Sequence, residues 1–173
     1  GVSAITLAAK GIAAMKLGRI DYETTANIGR FEGGQATNIV CDTVHILSEA
    51  RSIDKEKLDA QVEHMVNTFA EKAEQFGGTA TTETKLMYPG FRFEENHQVV
   101  QVAKRAVENI GRKADIKTSG GGSDANVIAG FGVPTVILSV GYEEIHTTNE
   151  RMPVEELEKL ADLLVEIVKV AAE

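Results

Sequence analysis

Thr43-Val44-His45-Ile46-Leu47-Ser48-Glu49-Ala50-Arg51 alternates with period two: Val44, Ile46, Ser48 and Ala50 fall on one face, and His45, Leu47, Glu49 and Arg51 on the other. Such a run predicts a half-buried strand. Upstream, the β-branched stretch Thr24 to Phe31 predicts a second strand that ends at the turn Glu32-Gly33-Gly34, and Thr37 to Asp42 leads back into the first. Downstream, Ser52 or Asp54 is placed to cap a helix running to about Phe76, with Leu58, Val62, Met65, Val66, Phe69 and Ala73 at helical spacing. Gly77-Gly78 stops it. Thr79 to Met87 reads as a threonine-rich strand, and Tyr88-Pro89-Gly90 as a turn and a domain boundary. At the start, Ser3 precedes an amphipathic helix from Ala4 to Met15 whose stripe is Ile5, Leu7, Ala8, Ile12 and Met15. One more strand before residue 1 would complete a two-helix, four-stranded antiparallel sandwich with both helices on one sheet face.

After residue 92 the pattern changes to that of an α/β domain. Glu94 to Ile110 predicts a helix with Val99, Val100, Val102, Ala103, Ala106, Val107 and Ile110 inward, and Asp115 to Thr118 a short strand. Val133 to Val140 is nearly continuous in apolar residues, which predicts a strand buried on both faces. Pro153 opens the last helix, with Val154, Leu157, Leu160, Leu164, Ile167 and Val168 as its core stripe. Two segments follow, 1–92 and 93–173.

Composition narrows the class of partner. The 173 residues carry 18 Lys and Arg against 26 Asp and Glu, a net charge of -8, and no window gathers enough basic residues to track phosphates. Nucleic acid is therefore not expected as a partner. No apolar run approaches the roughly 20 residues of a membrane-spanning helix, and the chain reads as cytoplasmic. Cys41 is the single cysteine, which excludes an internal disulfide and predicts a buried thiol. The chain opens on Gly1-Val2-Ser3 without an initiator methionine and reads as a piece of a longer protein.

Three features carry chemistry. In Ser119-Gly120-Gly121-Gly122-Ser123-Asp124-Ala125-Asn126, glycines allow close backbone approach, Asp124 and Asn126 are placed to fix the loop, and the amides of Gly121 to Ser123 are expected to point into a site. The spacing fits neither a phosphate loop nor a dinucleotide fingerprint, and tight packing alone would also use these glycines. His146 follows the apolar run and precedes Thr147, Thr148, Asn149 and Glu150, a neighbourhood rich in partners for a metal-binding imidazole; a solvated loop histidine is the plain alternative. Arg51, on the outward face of its strand, offers a two-pronged grip on a carboxylate, to which the Asn38 amide adds a donor. His45, His64 and His97 lack ligand-spaced partners and read as structural or solvated.

Together these residues resemble the di-zinc exopeptidases related to carboxypeptidase G, succinyl-diaminopimelate desuccinylase and, most closely, peptidase T. Met15 to Asp21, Thr24 to Gly29, Gly33 to Val40 and Glu49 to Ser52 are similar to the lid domain of the peptidase T branch, and Gly121 to Asp124 with His146 to the closing part of its catalytic domain. The resemblance implies an α/β architecture: an α+β lid and dimerisation domain over 1–92, its first strand missing, and the C-terminal part of a zinc-exopeptidase catalytic domain over 93–173. It further implies two zinc ions per complete site, His146 as one metal ligand, Asn38 and Arg51 on the substrate carboxylate, Gly121, Gly122, Ser123 and Asp124 in the substrate wall, and a homodimer formed through the lid.

The departures are equally specific. The family takes its remaining metal ligands from a His-x-Asp motif and elsewhere, and its general base from a Glu-Glu pair, all before the lid; no His-x-Asp occurs here, and Glu94-Glu95, Glu143-Glu144 and Glu155-Glu156 follow the lid. The lid histidine that stabilises the oxyanion in the family has no counterpart either. The expected activity is that of a tripeptide aminopeptidase using zinc-activated water, with this chain alone inactive. The alternatives are a non-catalytic dimerisation or binding module, and an amidohydrolase of the same family acting on N-acyl amino acids.

Overall fold

Ser3 accepts the Thr6 amide through Oγ at 3.4 Å and starts helix α1, Ala4–Ala14, in the computed structural model, which describes residues 1–173. The elements that follow are β1 (Gly18–Arg19), β2 (Thr25–Gly33), β3 (Val44–Arg51), α2 (Lys55–Gln75), α3 (Gln98–Asn109), α4 (Asp124–Gly130) and α5 (Val154–Ala171). They divide into two compact units, Gly1–Gly90 and Phe91–Glu173.

In the first unit, β1, β2 and β3 form an antiparallel sheet in that order. The β2–β3 ladder runs from Thr25 opposite Arg51 to Gly33 opposite Val44, with a bulge between Ile28 and Arg30. The extra residue raises the local twist and re-aims the side chains beyond it. Gly34 turns the chain out of β2 with φ of +85°, a backbone region in which a Cβ is strained. Asp54, not Ser52, caps α2 by accepting the Lys57 amide at 3.1 Å, and Gly77, at φ +76°, ends it. Met15, Ala26 and Met65 are the buried core, with Leu17, Ile20, Ile28, Ala50 and Phe69 packed around them. Both helices thus cover the face that carries Ala26 and Ala50, as the period-two reading expects. Cys41 is buried, its thiol donating to the Thr43 carbonyl at 3.1 Å.

Thr79 to Met87 forms no ladder and is exposed throughout, against the strand expected there. Threonine's preference for extended structure expresses packing on a pleated surface, and this segment has no neighbouring strand to supply one.

The second unit rests on α3 against α5. Ala106, Leu163 and Val170 are its buried centre, joined by Val102, Val107, Ile110, Leu138 and Ile167. His97 caps α3 through Nδ1, which accepts the Val99 amide at 3.3 Å, and its ring lies 4.6 Å from that of Phe93. Two expectations are corrected here. Val133 to Val140 and Asp115 to Thr118 are not strands, and Val133 and Ile137 are exposed, because the chain supplies no neighbours for a sheet. The buried line of α5 passes through Leu163 and Val170, so that Val154, Leu157, Leu164 and Val168 of the expected stripe stand exposed. Helix α5 is apolar over a wider arc than α3 can cover.

A Cβ on Gly11 would lie 2.8 Å from Cδ1 of Phe69 where α1 crosses α2. Gly11→Ala gains about 1 kcal/mol of helix propensity but overpacks a rigid ring, at a cost of about 1–3 kcal/mol. Net destabilisation is expected by urea titration, and a second change, Phe69→Leu, should restore part of it. Stabilisation by Gly11→Ala alone would show that the helix pair has slack.

Candidate functional site

The residues singled out for chemistry are distributed over both units. In the first, Arg51 closes β3 on the sheet face away from the helices, and its Nη2 donates to Glu49 Oε2 at 2.9 Å, two residues back on the same face. That hydrogen bond and the charge of Glu49 raise the Arg51 pKa further above its ordinary value, so the guanidinium is a permanent cation with donors still exposed. Asn38 is exposed in the connection from β2 to β3, where the Ile39 amide donates to the Ala36 carbonyl at 3.2 Å. This connection leaves and returns at the Gly33–Val44 end of the ladder, whereas Arg51 stands at the Thr25 end. The two are anchored at opposite ends of the hairpin, not as a joined pair.

An open pocket of about 280 Å³ lies on the same unit, lined by Lys16, Ile20, Asp21, Thr24, Lys57, Ala60, Gln61 and His64. Its polar groups serve the fold. His64 Nε2 accepts the Lys16 amide at 3.0 Å and Gln61 Nε2 donates to the Lys16 carbonyl at 2.9 Å, tying α2 to the chain after α1. Asp21 Oδ1 accepts the amides of Glu23 and Thr24, each at 2.9 Å, and Lys57 Nζ lies 3.5 Å from Oδ2.

The Glu23 amide, assisted by Thr24 and Lys57, holds the Asp21 carboxyl below its ordinary pKa. A carboxylate depressed in the folded state contributes stability that is present above its unfolded pKa and is lost as pH falls through the folded one. Urea midpoints should therefore fall below about pH 4, and Asp21→Asn should flatten that part of the profile. An unchanged acid limb in the variant would assign it to other carboxylates.

In the second unit the glycine loop is folded onto itself. Ser123 caps α4 by accepting the Ala125 amide through Oγ at 3.2 Å, and Asn126 Oδ1 accepts the Ser123 amide at 2.9 Å, completing a reciprocal capping box. The Gly121 amide donates to Ser119 Oγ at 3.2 Å. Of the amides from Gly121 to Ser123, expected to point into a site, that of Gly121 donates to Ser119 Oγ and that of Ser123 to Asn126 Oδ1 in α4. Asn126, buried, does fix the loop as expected, while Asp124 sits exposed in the first helical turn, where the helix dipole favours an acid. Asn126→Ala should destabilise this unit by about 1–2 kcal/mol, read from the thermal midpoint; no shift would mean that the capping box contributes nothing.

His146 sits in a closed loop. The amide of Glu143 donates to the Arg151 carbonyl at 2.9 Å and that of Arg151 to the Glu143 carbonyl at 3.1 Å, while Arg151 Nε pairs with Glu143 Oε2 at 2.5 Å. Within this clasp, Thr147 Oγ1 donates to the Glu144 carbonyl at 2.7 Å and accepts the Asn149 amide at 3.2 Å. Glu144 and His146 have φ of +51° and +65°, a conformation that costs a residue other than glycine roughly 1–2 kcal/mol. The His146 amide donates to Glu150 Oε2 at 2.6 Å. The sequence assigns Glu143 no role beyond its position after the lid, although an acid and an arginine eight residues apart around a histidine are a visible signal of the clasp.

No group of three or more His, Cys, Asp or Glu side chains comes together as a metal site. The donors of this chain do not fit a complete metal centre, and His146 is at most one ligand of it. His45 is exposed, and His64 and His97 are engaged in the hydrogen bonds described above.

Residues 6–170 match peptidase family M20/M25/M40, and the chain belongs to that family. The whole chain superposes on 46% of the crystal structure of aminopeptidase PepT from Bacillus cereus, at 63% identity and a TM-score of 0.89. It likewise superposes on 47% of a tripeptidase from Staphylococcus aureus, at 52% identity and a TM-score of 0.94. A more distant structure, the YxeP protein of Bacillus subtilis, described as a dinuclear metal binding peptidase of the M20 family, shares the fold at 19% identity and a TM-score of 0.74, over 99% of this chain and 46% of its own. The chain spans about half the length of the relatives it matches. No helix is long and apolar enough to cross a membrane.

Proposed function

We propose that the full-length protein is a metal-dependent exopeptidase of tripeptide aminopeptidase type that hydrolyses short peptides. The observation that carries this reading is the end-to-end similarity, at more than half identity, to structures described as an aminopeptidase and a tripeptidase. Arg51 is the chain's anchor for the peptide carboxylate: an exposed, permanently charged fork on an otherwise rigid strand. Asn38 offers a separate amide donor to the substrate from the opposite end of the hairpin, the segment Gly121 to Asp124 forms part of the substrate wall, and His146 supplies one donor to a metal centre, zinc in this reading. The other metal donors and the general base lie outside these residues, so the 173-residue chain alone is inactive. The protein works as a cytoplasmic homodimer associated through the first unit, where the edge of β2 beyond its two-residue pairing with β1 is free for contact.

Charge-assisted hydrogen bonds contribute about 1.5–3 kcal/mol, which corresponds to about ten- to a hundredfold in kcat/KM. Arg51→Ala in the full-length protein should lower kcat/KM for tripeptides by that factor, mainly through KM. The same loss should follow from amidating the peptide's C-terminus, and the two losses should not add. Equal hydrolysis of free and amidated peptides by the wild type would remove Arg51 from this role. Metal content after dialysis tests His146 separately: His146→Ala should retain less metal than the wild type.

A further inference from the structure

The loop around His146 is closed at its base by the Glu143–Arg151 backbone pair and ion pair, and its arms are tied by Thr147. None of these bonds touches His146 itself. A turn bond from the Thr147 amide to the Glu144 carbonyl at 3.2 Å spans it, its own amide makes one hydrogen bond, the 2.6 Å donation to Glu150 Oε2, and it adopts the left-handed conformation with φ of +65°. A short N–H bond to a charged carboxylate is among the stronger hydrogen bonds available to an exposed backbone. The bond is also directional, because it forms only when the peptide plane before His146 turns its N–H toward the inside of the loop.

The geometry points to Glu150 as a positioning residue: its carboxylate captures the His146 amide, holds His146 in the left-handed conformation and so fixes the direction from which its imidazole leaves the loop. Rotation to the right-handed region would carry the Cβ, and with it the whole ring, to a different side of the backbone. The Glu143–Arg151 clasp supports this by fixing the chain on both sides of the bond, so that Glu150 is presented to His146 at a constant distance. The functional weight of the arrangement rests on the reading of His146 as a metal donor; the conformational effect does not. A donor whose ring is already aimed loses less rotational freedom when it binds.

The chain contains four histidines, so ¹⁵N-histidine labelling gives a backbone amide spectrum of four peaks, and three of them report folding elsewhere: His45 in β3, His64 in α2 and His97 at the start of α3. In the metal-free protein the His146 peak should show the strong intraresidue N–H to Hα cross-peak of a positive φ. Glu150→Ala should shift that peak and abolish the cross-peak while the other three stay in place. Glu150→Gln, which keeps an acceptor oxygen, should restore both. Persistence of the positive-φ signature in Glu150→Ala overturns the proposal. If Glu150→Ala unfolds and all four peaks collapse, Glu150→Gln decides: a bound His146 peak upholds the role, and a lost one with the other three intact refutes it. In the full-length protein, Glu150→Ala should reduce retained metal and Glu150→Gln should spare it. Should His146→Ala leave metal content unchanged, the reading of His146 as a donor fails, and the labelled spectra still decide on Glu150.

Discussion

The ladder between β2 and β3 is the one extended strand pairing in the chain, and the first unit is arranged around it. It sets which residues face the helices: Ala26 lies opposite Ala50, a pair of small side chains beneath α1 and α2, and Ile28 lies opposite Ser48. Small residues there let Met15, Met65 and Phe69 descend onto the sheet, and Gly11 lets the helices approach each other. The same register leaves Arg51 on the open face, at the end of a strand that cannot slip by one residue without exposing its apolar side. Placement of the cation is thus a by-product of core packing, and more secure than a loop could make it.

In the first unit most of this was legible. Period two in Val44 to Arg51, helical period in Leu58 to Ala73 and the signals of Ser3, Asp54 and Gly77 report local choices that packing then reinforces. Thr79 to Met87 was misread because its threonines state only a willingness to extend. A strand is a relation between two segments, and one sequence segment cannot report the absence of its partner. The same reason accounts for Val133 to Val140, whose hydrophobicity is a demand for neighbours on both faces that no other segment of this chain meets. In α5 the apolar arc exceeds the width that α3 covers, and the residues left bare, Val154, Leu157, Leu164 and Val168, are those that idealised heptad spacing ranks first.

The glycine loop shows where motif reading passes beyond what residue types settle. Three consecutive glycines suggest amides held ready for a ligand, yet Ser119 and Asn126 take the amides of Gly121 and Ser123 for themselves. A side chain two or three residues away competes for a free amide at far lower entropic cost than a ligand does. What remains is a capped turn at the head of α4.

His146 is the reverse case: residue type and neighbourhood were informative, and the geometry sharper than either. A histidine among Thr, Asn and Glu is ordinary for a solvated loop, and nothing in its spacing required φ of +65°. That conformation is unfavourable for a side chain of this size, so something in the loop must hold it. The Glu143–Arg151 clasp closes the loop, and the Thr147 amide, donating to the Glu144 carbonyl, closes a turn around His146. Only the carboxylate of Glu150 reaches the His146 amide. An acid, an ion pair and a strained backbone together fix the direction of one exposed histidine, and under the proposed function a fixed direction is what a metal donor contributed from a loop would have to supply.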